Sequence, residues 1–427
     1  MEETAAATGV TSLPEDAIRE ILVRLEDAPT LFRCAVTCRQ WCRLVSDASF
    51  LRRCWPDDQA TWSTFLAGFF ALKRLDRTDP TFVPGVATFA TFFVPTPWSV
   101  FGPSSRRRSL SSFFPDIDPC IFDHAVPLAA RRGLLLVRIG VHGDSGYQYR
   151  LAACNLLAAA CDVLPALLTD GLDFGRSSYA ILTAADCSPD KQHLSSAAPG
   201  YSTFFKVLVL GIMYPNLNLY TFSSSEGGWS KPTQITTFGP YGEIRDCKHL
   251  DVVVSRRKAH WRVGSWPAYY FLDVDAETDH ISRRTITSLS NYSRAYGEPQ
   301  LRVTANGTLS VLFRSMSRAG LEIYTLEDDE NSGNGATITW LSAGTIVLKP
   351  PRHMKRTQTP TFLRLLGEKS GTMLLKDWQK QIFMADLETG VTEKLTDCFG
   401  GLNRQKPILM EMDWLVLFVS RLGKWLG

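Results

Sequence analysis

The chain has 427 residues, of which 45% are hydrophobic and 21% charged, a composition ordinary for a globular protein with a sizeable buried core. This length allows two or three domains. The net charge of +3 is too small to favour nucleic acid or an anionic membrane, and we expect neither as a partner.

The first predicted element is a helix that opens a small module spanning residues 12–56, after a flexible N-terminus of residues 1–11. Ser12 and Glu15 have the spacing of a capping box, and Pro14 falls in the first turn. The side chains that follow at helical spacing and predict one apolar face are Ile18, Ile21, Leu22 and Leu25.

Three more short helices are predicted before residue 56. Asp27 and Pro29 indicate the start of the second, Trp41 lies on the third, and Asp47 caps the last turn. So small a module has a marginal core of its own. We therefore expect a partner to cover part of its apolar surface.

The order of residues in this module resembles the F-box motif of ubiquitin-ligase receptors. The positions that carry the resemblance are Leu13, Pro14, Asp16, Ile18, Ile21, Leu22, Arg24, Leu25, Leu31, Cys34, Val36, Cys38, Trp41 and Leu44. The resemblance implies docking on a Skp-family adaptor and, through it, association with cullin and RING subunits. The turn from Glu26 to Pro29 departs from the shorter or more apolar turn of many relatives.

The resemblance also implies which residues contact or brace the adaptor interface: Leu13, Pro14, Ile18, Ile21, Leu22, Leu25, Leu31, Trp41 and Leu44. Leu13 and Pro14 would insert into the adaptor, and Trp41 and Leu44 would meet its last helix. Such an interface is apolar and depends on a few large anchors. The alternative, that these side chains only fill an internal core, stays open, above all for Trp41.

Residues 57–80 are predicted as a helical connector, because apolar side chains between residues 61 and 75 fall at helical spacing. Residues 81–427 are predicted as a β-repeat domain. Its short apolar runs end on polar residues that recur every 50–68 positions, namely Asn155, Ser223, Asp273, Glu327 and Asp386. Periods near 50 with about four strands each are typical of propeller blades.

Five repeats are visible, and residues 80–130 and the C-terminal tail could supply one or two more. A β-sandwich or an irregular β fold remains the alternative, because the spacing is uneven. The repeat style and the turn Asp386-Leu387-Glu388-Thr389-Gly390 are similar to the F-box-associated β domains of grass-type plant F-box proteins. Residues 412–426 are predicted as a short amphipathic helix that packs on the β domain.

Aromatic and basic side chains alternate around residue 260. Trp261, Trp266 and Tyr269 are the candidate target-binding residues, since aromatic and arginine side chains favour peptide contacts. A propeller strand pair with a charged outer face explains the same pattern. Gly143-Asp144-Ser145-Gly146 resembles a serine-protease nucleophile loop but is more typical of a hairpin turn.

The ten cysteines are scattered, without any CxxC pair, which excludes a disulfide framework and a zinc site of that spacing. Neither a signal peptide nor a membrane-spanning run of about 18 apolar residues is expected. We expect a protein of the cytosol or nucleus with reduced thiols, no metal and no cofactor.

The predicted fold is therefore α+β and multidomain, a small helical F-box followed by a mainly β, propeller-like domain. The predicted function is target recognition within an SCF-type ubiquitin ligase, without catalytic residues. The alternatives are an F-box scaffold outside a ligase, and a propeller enzyme or carbohydrate-binding module.

Overall fold

The computed structural model describes most of the chain. The described residues are 13–25, 28–54, 64–74, 89–97, 99, 101, 107–143, 146–167, 176–187, 204–213, 216–235, 252–265, 268–286, 299–304, 307–315, 320–326, 337–338, 340–351, 362–377, 379–396 and 406–426. Within them lie five α-helices, three short 3-10 helices and twenty-six strands.

Four helices form the N-terminal module: α1 Glu15–Val23, α2 Ala28–Ala35, α3 Arg39–Val45 and α4 Ala48–Cys54. The residue before α1 is Pro14, which has no capping side chain, and the predicted cap Ser12 lies outside the described residues. Glu15 instead accepts a hydrogen bond from Arg19 at 3.0 Å. Cys38 caps α3 through its sulfur, and Asp47 caps α4 by accepting from the Ser49 N–H, as predicted for Asp47.

The twenty-six strands form six sheets around a central channel, which confirms the propeller and sets its blade number at six. Blade 1 contains β1 Thr64–Arg74, β2 Phe89–Pro95, β3 Arg108–Ser109 and β26 Ile408–Asp413. Blade 2 contains β4 Val126–Arg131, β5 Leu134–Gly143, β6 Gly146–Asn155 and β7 Ala160–Val163. Blade 3 contains β8 Ser178–Thr183, β9 Phe205–Met213, β10 Asn216–Ser223, β11 Gly228–Trp229 and β12 Thr233–Ile235.

Blade 4 contains β13 Val252–Ser255, β14 Lys258–Ser265, β15 Ala268–Asp275, β16 Ile281–Ile286 and, at its edge, β20 Thr337–Ile338. Blade 5 contains β17 Gln300–Val303, β18 Leu309–Arg314, β19 Gly320–Leu326 and β21 Trp340–Val347. Blade 6 contains β22 Phe362–Lys369, β23 Thr372–Asp377, β24 Ile382–Asp386 and β25 Thr392–Thr396. Strand β20 leaves blade 5 and pairs with β16 in parallel, so it covers the edge of the neighbouring blade.

The innermost strands are β26, β4, β8, β13, β17 and β22, and each contacts the next around the ring. The ring closes because β26, from the C-terminal part of the chain, pairs with β1 in register from Thr64↔Asp413 to Phe70↔Ile408. Blade 1 is thus the additional repeat that residues 80–130 and the C-terminal tail were expected to supply. Within its sheet, β1 lies next to the inner strand β26.

A separate hydrophobic cluster fills each of the six interfaces between neighbouring blades. Strand β9 shows why: Val207 and Val209 face the interface with blade 2, while Leu208 and Leu210 face the interface with blade 4. Both faces of a blade are therefore buried, as in β-sheets stacked about 10 Å apart.

The predicted helical connector is wrong, because Thr64–Arg74 is strand β1. Its side chains divide between two interfaces, with Phe70 in the cluster shared with blade 2 and Phe69 in the cluster shared with blade 6. A strand that is apolar on both faces has no alternating pattern to separate it from a buried helix. Residues 55–63 lie outside the described residues.

The predicted C-terminal helix is confirmed as α5, Trp414–Leu426. It packs against both domains, whereas packing on the β domain alone was predicted. Leu417 enters the core between blades 1 and 2, whereas Phe418 and Leu422 are fully buried in the core of the helical module. Phe418 meets Phe32 of α2 edge-on, with ring centroids 5.3 Å apart. Helix α5 therefore joins the two domains.

One turn recurs between the third and fourth strands of several blades. Asn155, Asp275 and Asp386 each accept, through Oδ1, backbone N–H bonds from the residues two and three positions later. The fifth residue of each turn has a positive φ: 57° at Ala159, 58° at Asp279 and 71° at Gly390. Two of the polar strand ends seen in the sequence, Asn155 and Asp386, are thus turn-forming side chains, whereas Asp273 lies within β15 and Asp275 forms the turn in its place.

Candidate functional site: the exposed edge of the helical module and the propeller channel

The N-terminal module exposes a small apolar edge at the start and on one side of α1. Leu13 is 45% exposed and Ile21 50%, and Pro14 beside them is also exposed. Single exposed apolar side chains are common on protein surfaces, whereas several on one short helix and the residues before it are typical of a contact surface. Ile21 lies at the exposed rim of the apolar face of α1, whose centre buries Ile18 and Leu22 in the module core.

The other residues predicted at the adaptor interface lie deeper. Ile18, Leu22, Leu31 and Leu44 are buried, with 5% exposure at most, and pack in one cluster with Phe418 and Leu422 of α5. Leu25 and Trp41 are half-buried against the same cluster. The structure therefore divides the predicted set into an exposed edge, an intermediate pair and buried side chains that brace the edge.

Ion pairs hold the helices beneath this edge. Arg19 of α1 contacts Asp47 at 3.4 Å, and Arg53 of α4 contacts Glu20 at 2.7 Å. The hydrogen bond and charge of Arg53 lower the pKa of Glu20. Cys34 is half-buried, Cys38 exposed and Cys42 buried. Across the described residues, no three His, Cys, Asp or Glu side chains come together as metal ligands.

Of the predicted aromatic site, the structure describes only the Trp261 side chain, and it lies inside the propeller. Trp261 has no exposed surface, and its Nε1 donates to Ser178 Oγ at 3.1 Å inside the interface between blades 3 and 4. Its assignment to target binding is corrected to a packing role. Trp266 and the Tyr269 side chain lie outside what the structure describes. His260 is buried, with Nδ1 2.6 Å from Asp273 Oδ1.

The channel has two different mouths. The end where the inner strands finish is the near mouth: both connections to the helical module leave there, at Thr64 and at Trp414. It widens into a cavity of about 920 Å³. The end where the inner strands begin is the far mouth, with a cavity of about 210 Å³. Trp414 lines the near cavity and stacks on Phe65, with centroids 3.8 Å apart.

Buried ion pairs tie the inner strands together inside the channel. Arg131 of blade 2 contacts Asp186 of blade 3 at 2.6 Å and Glu411 of blade 1 at 2.8 Å, and Lys369 of blade 6 contacts Glu411 at 3.3 Å. Although burial opposes ionisation, Lys369 and Arg131 lower the pKa of Glu411 to about 2. Arg131 and Arg132 likewise hold the pKa of Asp186 well below its ordinary value, against its burial.

Glu368, on the same inner strand as Lys369, has the opposite shift. Burial raises its pKa to about 7, and the neighbouring Glu411 adds to this, although Arg302 and the Gly371 N–H favour the ionised form. Glu368 Oε1 accepts from Gly371 N at 2.9 Å. Sequence reasoning missed these channel carboxylates because no short motif links Asp186, Glu368 and Glu411, which come from three different blades.

Five of the inner strands begin at the far face after a long stretch of chain. The numbers of residues between the preceding strand and these inner strands are at least eleven in each case, for residues 164–177, 236–251, 287–299, 348–361 and 397–407. Near-face turns include the two-residue turns Arg132-Gly133, Arg256-Arg257 and Ser370-Gly371. Long connections on a rigid scaffold are where binding residues concentrate.

Comparison with known proteins supports the N-terminal module. Residues 10–55 match the F-box-like family. A search of curated proteins gives no match. In the described part of the chain, no helix is long and apolar enough to cross a membrane.

Several solved structures resemble the chain distantly. A functionally unknown protein from Desulfotomaculum acetoxidans has 8% identity and a TM-score of 0.35, with 76% of this chain and 83% of that chain covered. Apo AztD from Citrobacter koseri has 9% identity and a TM-score of 0.32, with 81% and 98% covered. A prolyl endopeptidase has 9% identity and a TM-score of 0.35, with 89% and 52% covered. The six-bladed assignment rests on the strand pairing itself.

Proposed function

We propose that this chain is the substrate-recognition subunit of an SCF-type cullin–RING ubiquitin ligase. Its F-box-like module would bind a Skp-family adaptor, and its propeller would bind the target protein. The observation that carries the proposal is the exposed apolar edge of Leu13, Pro14 and Ile21, on a module that matches the F-box-like family. An apolar edge next to a braced core is what an anchor-type interface requires.

The exposed edge supplies the anchors, and the buried residues fix their positions. Ile18, Leu22, Leu31 and Leu44 cannot reach a partner directly, but they set the orientation of α1 and α3. Leu25 and Trp41, which are half-buried, extend the contact. Anchors that are already in place before binding cost less conformational entropy on association.

The chain would make no bond itself. It would raise the effective concentration of a target lysine near the ubiquitin carrier, which requires a fixed geometry between the two binding surfaces. Helix α5 supplies that geometry, since its side chains are buried in both domains. The target would bind at the far face, away from the F-box connections. We place this activity in the cytosol or nucleus, where the thiols stay reduced.

A ligase role differs from a scaffold role in what happens to the bound protein. Tagged full chain should co-purify with an adaptor, a cullin and a RING subunit, and a plant adaptor is the first to try given the resemblance to grass-type F-box proteins. A protein captured by the propeller should turn over more slowly when residues 13–54 are removed. Capture with unchanged turnover would favour the scaffold.

One observation favours a second candidate function, a propeller hydrolase. Glu368, with a pKa of about 7, lines a cavity of about 920 Å³ and could transfer protons. Against this, Asp186 and Glu411 are held in ion pairs, and the described cavity lining contains neither histidine nor cysteine. Turnover of nitrophenyl glycosides or esters that Glu368→Gln abolishes would establish the hydrolase, and no turnover would exclude these substrates.

A further inference from the structure

Two cysteines face each other across neighbouring strands at the outer edge of blade 2. Cys154 lies on β6 and Cys161 on β7, and the strand register pairs them directly. Both are free cysteines, and their Sγ atoms are 2.7 Å apart. A disulfide needs an S–S distance of about 2.05 Å and a Cβ separation close to that of directly opposed strand residues. The two thiols can therefore join with little movement of the backbone.

The turn between the two strands holds this register. Asn155 Oδ1 accepts hydrogen bonds at 3.0 Å from the backbone N–H groups of Leu157 and Ala158. Asn155 also pairs with Ala160, directly beside the two cysteines. A slip of one residue would turn one thiol to the opposite face of the sheet. The turn therefore sets the geometry of the pair before any reaction.

The two thiols differ in their exposure. Cys154 is fully buried in the cluster between blades 1 and 2, whereas Cys161 is half-buried at the margin of that cluster. Burial raises the pKa of the Cys154 thiol, and the adjacent Cys161 adds to this shift. Because the thiolate is the reactive form, an oxidant from solvent meets Cys161 first. Cys154 is then in position to react with the product.

We propose that Cys154 and Cys161 are a site of reversible oxidation by hydrogen peroxide, with a disulfide between β6 and β7 as the product. The Cys161 thiolate attacks a peroxide oxygen: an S–O bond forms, the O–O bond breaks, and the hydroxide released takes up the thiol proton. The Cys154 sulfur then attacks the Cys161 sulfenic acid: the S–S bond forms, the S–O bond breaks, and hydroxide leaves as water with the Cys154 proton. Both sulfurs are oxidised, and the peroxide is reduced to water.

The disulfide would fasten the outermost strand of blade 2 to its neighbour. In a reducing compartment the pair rests as two thiols, and peroxide closes it. Strand β7 exposes Ala160, Asp162 and Val163, so its hold on the blade depends mainly on pairing with β6. Cys154 shares its cluster with Leu417 of α5, which anchors the disulfide in the core that α5 enters. The proposal is independent of the ligase role, because it uses only these two thiols.

Mass spectrometry of the purified full chain tests the reaction. Both cysteines lie on one tryptic peptide, residues 151–176, because no lysine or arginine separates them. After exposure to hydrogen peroxide, the remaining thiols are alkylated with iodoacetamide under denaturing conditions. This peptide should lose both alkylation sites together and be lighter than the reduced, unalkylated peptide by two hydrogens. Dithiothreitol should restore both sites.

Two variants and a second readout complete the test. Cys161→Ser should leave the Cys154 thiol free at every peroxide concentration that closes the wild-type pair. The matched control Cys120→Ser removes an exposed cysteine and should leave the disulfide unchanged. The amides of β7 should exchange hydrogen about tenfold more slowly in the oxidised wild type, and not in peroxide-treated Cys161→Ser.

The result that would overturn the proposal is equally specific. Conversion of Cys161 to sulfinic acid while the Cys154 thiol stays free would show that the two sulfurs do not join. An unreacted pair at a peroxide concentration that oxidises the exposed Cys38 would show that the site is not sensitive to peroxide. Adaptor binding is measured separately, so neither result is confused with failure of the ligase role.

Discussion

At the residue scale, the recurring turn requires a residue without a side chain at Gly390. Gly390 and Gly227 occupy the same turn position with nearly equal φ, 71° and 70°. A Cβ at Gly390 would lie 2.3 Å from the Val347 carbonyl oxygen, whereas a Cβ at Gly227 would meet nothing within 4 Å. Both positions carry the backbone cost of a positive φ, and only Gly390 adds a clash between blades 5 and 6.

We therefore expect Gly227→Ala to destabilise the propeller by about 1 kcal/mol, from the backbone term alone. Gly390→Ala should cost clearly more, because Val347 must also move. Chemical denaturation of the two variants beside wild type measures both values. Equal losses would show that the contact between the blades relaxes at no cost.

The pKa of Glu368 predicts a pH dependence of stability. Its pKa of about 7 in the folded chain exceeds the ordinary value of 4.5, so the folded state binds more protons between these values. The contribution of Glu368 is thus greatest below pH 4.5 and is lost as pH rises through 7. The charged groups around Glu368 are Arg302, Lys369 and Glu411.

Replacing Glu368 by Gln removes this titration. The shift corresponds to about 3 kcal/mol, but Glu368 is only half-buried, so we expect about 1 kcal/mol. The unfolding free energy of Glu368→Gln relative to wild type should therefore rise by about that amount between pH 5 and pH 8. A flat difference across this range would contradict the assignment. Glu411, with a lowered pKa, contributes stability above pH 4.5 that is lost toward pH 2.

At the element scale, α5 is the part of the molecule on which both domains depend. Phe418 is fully buried among the F-box helices and packs against Phe32 and Trp414. Phe418→Ala should destabilise the F-box module by about 3–5 kcal/mol and weaken adaptor binding. Ser420→Ala on the same helix is the matched control and should change neither. Hydrogen exchange of α1 to α4 in both variants measures the effect locally, and an unchanged F-box would show that α5 is dispensable to it.

Prediction from sequence succeeded where one face or one turn carried the signal. The apolar stripe of α1 and the strand ends at Asn155 and Asp386 were predicted correctly, because helical spacing and turn-forming polar side chains are local properties. Strand β1 was misread because it is buried on both faces. Trp261 was assigned wrongly because the same sequence pattern, an aromatic residue beside arginines, occurs both at exposed binding surfaces and at buried interfaces between blades. The packing of α5 into the F-box depends on contacts across nearly the whole chain, which no local pattern reveals.

At the scale of the whole molecule, the two domains form a continuous unit. Blade 1 takes β1 from beside the F-box and β26 from beside α5, so propeller closure brings both connections to the near mouth. The Arg131 ion pairs fasten blades 1, 2 and 3 at the same end. The exposed apolar edge of the helical module and the far face of the propeller are therefore held in fixed relative positions. The proposed transfer of ubiquitin to a bound target requires such a fixed geometry.

The most direct test of this account is the affinity of the purified full chain for a purified Skp-family adaptor, measured by calorimetry. Wild type should form a one-to-one complex, and Ile21→Asp should lose it at unchanged melting temperature, because Ile21 is exposed in the free chain. The control Arg33→Asp, also exposed on the module, should retain binding if α2 lies outside the contact. Absence of binding by the folded wild type, or equal binding by Ile21→Asp, would contradict the adaptor-docking function.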